Sequence, residues 1–312
     1  MTETPQIETI GEDEGERTVT VLELFFDLVF VLAITQVTSF FAEHQTGRGF
    51  AEGLIVLALV WWSWVGYSWL TNAVDIDDPP TRVAFFVAMA GFVVVALATP
   101  KAFGDDGLAF ACAYGVVRLM QPALYARGVI DRPKERAAII GLLPGFLGSV
   151  TLLVGGAVAG GDAQLALWAL AVVVDFGGPL VFSVEGFHGL ARDSYSYIHF
   201  FMIAGIVLSA LGIKTTLAHT GAELDVVPAI ALCAGPALYL TGHVLFRRRN
   251  RGTSNRQRIV ATIVLLALIP VARSGVAGLL ALTLVTAVLV ALVTYEMTRF
   301  REARDRMRAA SA

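Results

Sequence analysis

The chain has 312 residues, 56% of them hydrophobic and only 16% charged, with a mean hydropathy of +0.69. A soluble domain keeps about a quarter of its residues charged, so a soluble globular enzyme is excluded. The net charge of −3 gives no electrostatic basis for binding nucleic acid, and the few histidines and cysteines form no cluster with zinc-ligand spacing.

Residues 1–20 are polar, with six acids between positions 3 and 16, and carry no basic stretch ahead of an apolar cleavage region. They predict a disordered acidic tail rather than a signal peptide. About 20 apolar residues cross a bilayer core as a helix. By that rule ten spans are predicted, near Val21–Phe41, Gly53–Leu70, Val83–Pro100, Leu108–Arg127, Ile139–Val158, Ala163–Phe182, Tyr195–Thr216, Val226–Phe246, Ile259–Ala272 and Val276–Tyr295. The ninth is short, contains Pro270 and is bracketed by Arg258 and Arg273, so nine spans is the competing count. The expected fold class is all-α, a polytopic membrane helix bundle. Cys112 and Cys233 both fall inside apolar spans and are expected to be buried, reduced thiols.

Basic residues orient such a chain. Of the 23 lysines and arginines, 18 lie at the two ends and in the even-numbered connections, and 4 in the odd-numbered ones. Arg118 is the remaining one and sits inside the fourth span. This alternation predicts both termini in the cytoplasm. The connection Arg247 to Arg258 contributes most, with six, and the charges at Arg247–Arg251 predict attraction to anionic lipids as well as to the bilayer generally.

Sliding the chain by 114 residues places Phe86–Gly128 on Phe200–Gly242 without a gap. The Pro-Ala-Leu-Tyr run at 122–125 then falls on the same four residues at 236–239. Residues 81–186 and 187–298 are therefore expected to be two four-span units of one parallel repeat. Residues 21–80 hold two spans with no partner, and 299–312 form a basic tail with five arginines.

Ionisable side chains within spans are candidate sites by default. Glu23 and Asp27 lie four apart on one face of the first span, with Thr38 further along it, and suggest an ion or proton site built from paired carboxylates. Arg118 is the available counter-charge for Asp27, Glu23 or Asp175. Asp175 precedes Gly177-Gly178-Pro179, which is expected to break or end the sixth helix. Arg192, Ser196 and His199 are expected to share a face at the mouth of the seventh span, where Asp193 would cap the helix and Arg192 reach the headgroups. Trp61, Trp62, Trp64 and Trp69 encircle the second helix and fit anchoring and packing. Gly141 and Gly145 have the spacing of a close helix contact. Nucleophile and phosphate-loop motifs are absent, and no cofactor is expected.

The segment T-V-T-V-L-E-L-F-F-D-L-V-F-V-L-A-I-T-Q at 18–36 resembles the signature of the bacterial low temperature requirement A family. The W-W-S-W run at 61–64, D-I-D-D-P at 75–79 and A-R-D-S-Y-S-Y-I-H-F at 191–200 are similar to later blocks of the same family. One departure stands out. Val184-Glu185-Gly186-Phe187-His188 runs almost directly into Ala191-Arg192-Asp193, where family members carry about two further spans. Those are the spans that would pair with the two orphans of the repeat. The resemblance implies a multi-pass protein of the bacterial cell membrane with a link to growth in the cold, and no particular reaction. Three functions fit: a transporter or permease for a small solute or ion, a stress-related scaffold whose charges are structural, and an enzyme acting on a lipid-linked substrate. Nothing in the sequence sets the oligomeric state.

Overall fold

A computed structural model describes residues 21–71, 74, 78–130, 132–181 and 193–299. Among these residues the chain forms ten α-helices: α1 (Val21–Glu43), α2 (Gly47–Leu70), α3 (Pro79–Ala98), α4 (Gly107–Gly128), α5 (Pro133–Ala159), α6 (Gly161–Val181), α7 (His199–Ala218), α8 (Val226–Arg251), α9 (Arg256–Ala272) and α10 (Gly278–Arg299). A π-helical turn over Asp193–Ile198 leads into α7.

Local chemistry sets the helix starts. Asp78 opens α3 by accepting from the Thr81 backbone N–H at 3.4 Å and hydroxyl at 2.8 Å, with Pro79 and Pro80 in the first turn, where a missing N–H costs nothing. Thr46 opens α2, its hydroxyl accepting from the Gly49 N–H at 3.0 Å. At the far end of α8, Gly252 takes the left-handed conformation that stops the helix, just after Arg248, Arg249 and Arg251. Cations there also sit favourably against the helix dipole.

Eight of the ten helices are long and apolar enough to cross a membrane. The other two are α6 and α9, and the 17 residues of α9 cover only about 26 Å at 1.5 Å per residue. Loop contacts show that both nevertheless change sides. Glu223, before α8, forms a β-bridge with Ala277, before α10, and the Gly278 N–H donates to the Ala222 carbonyl at 2.9 Å. The chain therefore returns through α9 to the face from which α8 departed. Arg48 at the start of α2 reaches Asp162 at the start of α6, whereas Trp69 at the end of α2 donates to Ser196 at the start of the α7 segment at 3.2 Å. The ten described helices therefore traverse the bundle in alternating directions, eight of them with the length and apolarity of membrane spans.

Packing divides into two cores. The larger joins α1 to α7 around Phe26, Tyr67, Phe85 and Phe92, whose rings meet at centroid distances of 4.9 to 6.4 Å. The smaller holds α8, α9 and α10 together around Leu232, Leu265 and Val285. Helices α7 and α8 touch backbone to backbone. A Cβ on Gly205 would lie 2.6 Å from the Tyr239 nitrogen, and one on Gly212 would lie 2.5 Å from the Leu232 Cα. Outside, Val83, Leu97, Val173, Val290 and Val293 form part of an exposed apolar surface, as a bilayer-facing bundle requires.

Three expectations are corrected. Gly141 and Gly145 face open space, with no atom within 4 Å of a Cβ placed on either, so the close helix contact is made by Gly205, Gly212 and Gly235 instead. Cys112 is exposed on the surface of α4, while Cys233 is buried as expected. Finally, α6 is not broken at Gly177-Gly178 but runs on to Val181.

Candidate functional site

In α4 the residues Tyr114, Val117, Arg118 and Gln121 stand at helical spacings of three and four and share one face. That face meets α2, α5 and α6. Arg118 lies near the middle of α4, and its Nη2 donates to Asp175 Oδ1 at 2.8 Å. The side chains are 5% and 1% exposed, so the pair is closed off from solvent. Tyr114 donates its phenolic O–H to the second carboxylate oxygen at 2.7 Å. Arg118 Nη1 donates to Gln121 Oε1, and Gln121 Nε2 passes the chain on to the Ser63 carbonyl of α2 at 2.8 Å. Phe146 of α5 lies beneath the guanidinium, 4.3 Å from carbon to ring centroid. Tyr67 of α2 donates to the Val117 carbonyl at 2.9 Å.

The charges are thus paired, and both oxygens of Asp175 are used. Buried groups beside them are not, among them the Ser63 hydroxyl. Arg118 Nε has no hydrogen-bond partner, and neither has the hydroxyl of Ser149, which sits on α5 between Phe146 and Val150, two residues that pack on α4. An unpaired donor in a dry site costs about 1–3 kcal/mol, so this is a polar site with spare hydrogen-bonding capacity.

Asp27 belongs to a different cluster. Its Oδ1 accepts from Trp64 Nε1 at 2.8 Å, at an exposed position. Trp64 stacks on Phe30 at 5.0 Å and packs on Trp61 at 5.1 Å, and Trp61 in turn stacks on the His199 ring at 5.8 Å. Trp61 Nε1 donates to the Ser196 carbonyl at 2.9 Å, and Trp69 Nε1 to the Ser196 hydroxyl at 3.2 Å. His199 and Ser196 therefore share partners on α2, as neighbours on one face should, and His199 Nδ1 is buried without a partner. Thr38 is not part of this cluster, since its hydroxyl bonds back to the Ile34 carbonyl of its own helix. Arg192 and the side chains of Glu23 and Asp193 lie outside the described residues.

Helix α2 separates the two clusters. Trp61 and Trp64 serve the α1 and α7 side, while Ser63 serves α4 and Trp62 stacks on Phe176 of α6 at 4.3 Å. Of the counter-charges open to Arg118, the one it takes is Asp175. The tryptophans act mainly as core, with Trp61 and Trp62 buried. A third polar pair had no sequence signal beyond its charges. Arg258 of α9 holds both oxygens of Glu296 on α10, at 2.8 and 2.9 Å. Both residues fell just outside the apolar windows that define spans. Tyr114 and Gln121 went unnoticed because neither is ionised near neutral pH, although their spacing from Arg118 along one helix face was visible.

The sequence matches the family model described as Bacterial low temperature requirement A protein (LtrA) over residues 18–188 and again over 183–294. The chain belongs to this family. The uncharacterized protein RA0937 of Rhizobium meliloti (strain 1021) is 32% identical to the chain over 161 residues. That alignment covers 51% of this chain and 39% of the relative, so the match spans well under half of the relative's length. No solved structure matches the chain. The LtrA match falls in two stretches that overlap at residues 183–188.

Proposed function

We propose that this LtrA protein is a permease for a small polar or ionic solute, in which the Arg118–Asp175 bond holds the pathway shut. One observation carries the reading: a complete ion pair sits at the centre of the helix bundle with a guanidinium N–H still unused. Buried ion pairs are poor stabilisers compared with apolar packing, so stability alone is a weak reason to keep one inside a membrane. A solute that offers an acceptor to Arg118 would weaken its hold on Asp175 and free α6 from α4. Asp27, with Glu23 one turn before it on the same helix, and His199 lie nearer the face where the described chain begins and would form the vestibule. The 18-to-4 asymmetry of basic residues supports placing that face in the cytoplasm and the protein in the bacterial inner membrane. The parallel repeat of four spans supports the same class of function, because transporters are often built from doubled units. The family match in two stretches, overlapping at 183–188, supports the loss of two spans between the units.

The test is flux in proteoliposomes holding the full chain, screened against inorganic anions and cations, amino acids and sugars. Uptake of at least one solute is expected, saturable in the native chain and in Asp175→Glu, and no longer saturable in Arg118→Leu/Asp175→Leu, where the lock and the group that recognises the solute are removed together. Absence of flux for the whole panel, or flux indifferent to the double substitution, overturns the reading. The scaffold alternative draws on the same closure: Arg118 and Asp175 are enclosed on every side. It expects the double-leucine chain to support growth in the cold as well as the native chain does.

A further inference from the structure

A cleft of about 600 Å³ lies between α7, α8 and α10 in the second half of the bundle. Ile206 and Ser209 of α7, Pro236 and Tyr239 of α8, and Leu282 and Leu289 of α10 are among the residues that line it. At one end it meets His243, Arg258 and Glu296. From Leu282 to Glu296 it follows α10 for about 21 Å at 1.5 Å per residue. The polar end lies on the face where α8 ends and α9 begins, beside the arginine-rich segment from Arg247 to Arg258. The rest is apolar and lies among residues open to the bilayer, including Val293.

The 114-residue offset explains why the space is there. Phe92 in the first half is 1% exposed because Phe26 of α1 and Tyr67 of α2 cover it, at ring distances of 5.3 and 6.4 Å. Its counterpart Ile206 is 48% exposed. Phe176 is covered by Trp62, whereas its counterpart Val290 is 58% exposed. Trp168, fully buried in the first half, corresponds to the smaller Leu282 on the cleft wall. The surface that α1 and α2 cover in one half is left bare in the other.

We propose that this cleft binds one acyl chain of an anionic phospholipid, whose headgroup rests on the arginines at the α8–α9 end. A volume of 600 Å³ falls within the roughly 300–1,000 Å³ of small-ligand pockets. Charge selects the headgroup: Arg247, Arg248, Arg251 and Arg256 lie within ten residues of one another at that face, and anionic lipids are drawn to such clusters. The length of the cleft carries a chain from the headgroup level past the middle of a hydrocarbon core about 30 Å thick.

The experiment uses the full chain in vesicles of phosphatidylcholine containing a small fraction of phosphatidylglycerol with a photoactivatable group on its acyl chain. Adducts are located by mass spectrometry after illumination. They are expected to concentrate on Ile206, Ser209 and the Leu282–Val293 face of α10. Excess unlabelled phosphatidylglycerol should reduce them at least tenfold, and the same excess of phosphatidylcholine should not. Ile206→Phe with Leu282→Trp, which restores the bulk found in the first half, should remove the adducts while leaving the circular dichroism spectrum unchanged. Should that chain fail to fold, Arg247→Gln/Arg256→Gln in the unfilled cleft decides the point by cutting the preference for phosphatidylglycerol. Adducts spread evenly over outer residues such as Val83 and Val173, or equal competition by the two lipids, overturn the proposal. So does a crosslinked dimer that buries the cleft.

Discussion

Removing Asp175 alone and removing it together with Arg118 should have opposite consequences. In Asp175→Leu the guanidinium of Arg118 stays buried with its charge and loses its acceptor at 2.8 Å. Breaking a buried pair in this way costs about 3–5 kcal/mol. In Arg118→Leu/Asp175→Leu no charge is left in the apolar interior. Replacing a buried pair by apolar residues is often neutral or stabilising by about 1–4 kcal/mol. Two polar atoms lose partners in the double variant: the Tyr114 hydroxyl, which donates to Asp175, and Gln121 Oε1, which accepts from Arg118. Each costs about 1–3 kcal/mol if left dry, and Tyr114→Phe removes the first. The triple variant should therefore be more stable than Asp175→Leu by about 2 kcal/mol or more, despite carrying two further substitutions. Equilibrium unfolding in mixed micelles of a mild detergent and dodecyl sulfate measures the difference. Additive losses across the series would show that the two side chains do not form a dry pair, and the account of the site would fall with them.

Gly205→Val should separate α7 from α8, because its Cβ would meet the Tyr239 nitrogen and the Gly235 carbonyl oxygen, backbone atoms that cannot swing aside. A loss of about 2 kcal/mol or more is expected, read as a lower unfolding midpoint. Gly141→Ala is the contrasting case: nothing lies near its Cβ, and the gain in helix propensity of about 0.8–1 kcal/mol should leave the midpoint unchanged or raised. Trp64→Phe keeps much of the ring packing on Phe30 but removes the donor to Asp27. Since Asp27 is exposed, the midpoint should move by no more than about 1 kcal/mol, while any solute flux should fall if Asp27 lines the route. Asp78 predicts an acid limb of stability. The Thr81 hydroxyl, and after it the Arg127 guanidinium, hold its carboxyl below the usual carboxylate range. Its contribution is complete above the unfolded value of about 3.9 and is lost as pH falls through the lower folded value. In Asp78→Asn that part of the decline, below the unfolded value of about 3.9, should vanish from unfolding midpoints.

Apolar length and turn residues made every helix of the bundle legible, and the structure lengthens four of the predicted spans, α2, α5, α8 and α9, by about one to two turns. The extensions are polar, as at Arg247–Arg251 of α8 and Gly47–Glu52 of α2, because a helix does not end where the hydrocarbon does. The shortness of α9 was also legible, but its full crossing was not. That depends on the Glu223–Ala277 bridge between loops 54 residues apart in sequence, which no local pattern encodes. At the site, charge inside a span marked Arg118, Asp175 and Asp27 as residues to explain. Charge alone did not say which of them meet. Pairing was settled by helix packing: α2 stands between Asp27 and Arg118 and supplies Trp64 to one and, through Ser63 and Gln121, a polar neighbour to the other. Gly141 and Gly145 show the reverse error, since a small-residue spacing marks a possible contact only if a helix lies on that side.

The same covering helix accounts for the difference between the halves of the proposed repeat. Arg118 and Asp175 correspond to Leu232 and Leu289, and both leucines line the cleft. In the first half α2 lies over these positions, shuts out lipid and offers the Ser63 carbonyl to the network. In the second half no described helix occupies that place. Leu232 is buried in the smaller core and Leu289 is half-buried on the cleft wall, so an arginine or aspartate there would lie in apolar surroundings, at about 2.5–3.5 kcal/mol each on an insertion scale. Leucine at 232 and 289 suits surroundings that offer no polar neighbour. It follows that a polar pair moved into the second half, by Leu232→Arg with Leu289→Asp, should be tolerated only if the cleft is first covered. The permease reading and the lipid reading thus depend on one structural fact, which is that a helix pair shields one half of the bundle and not the other.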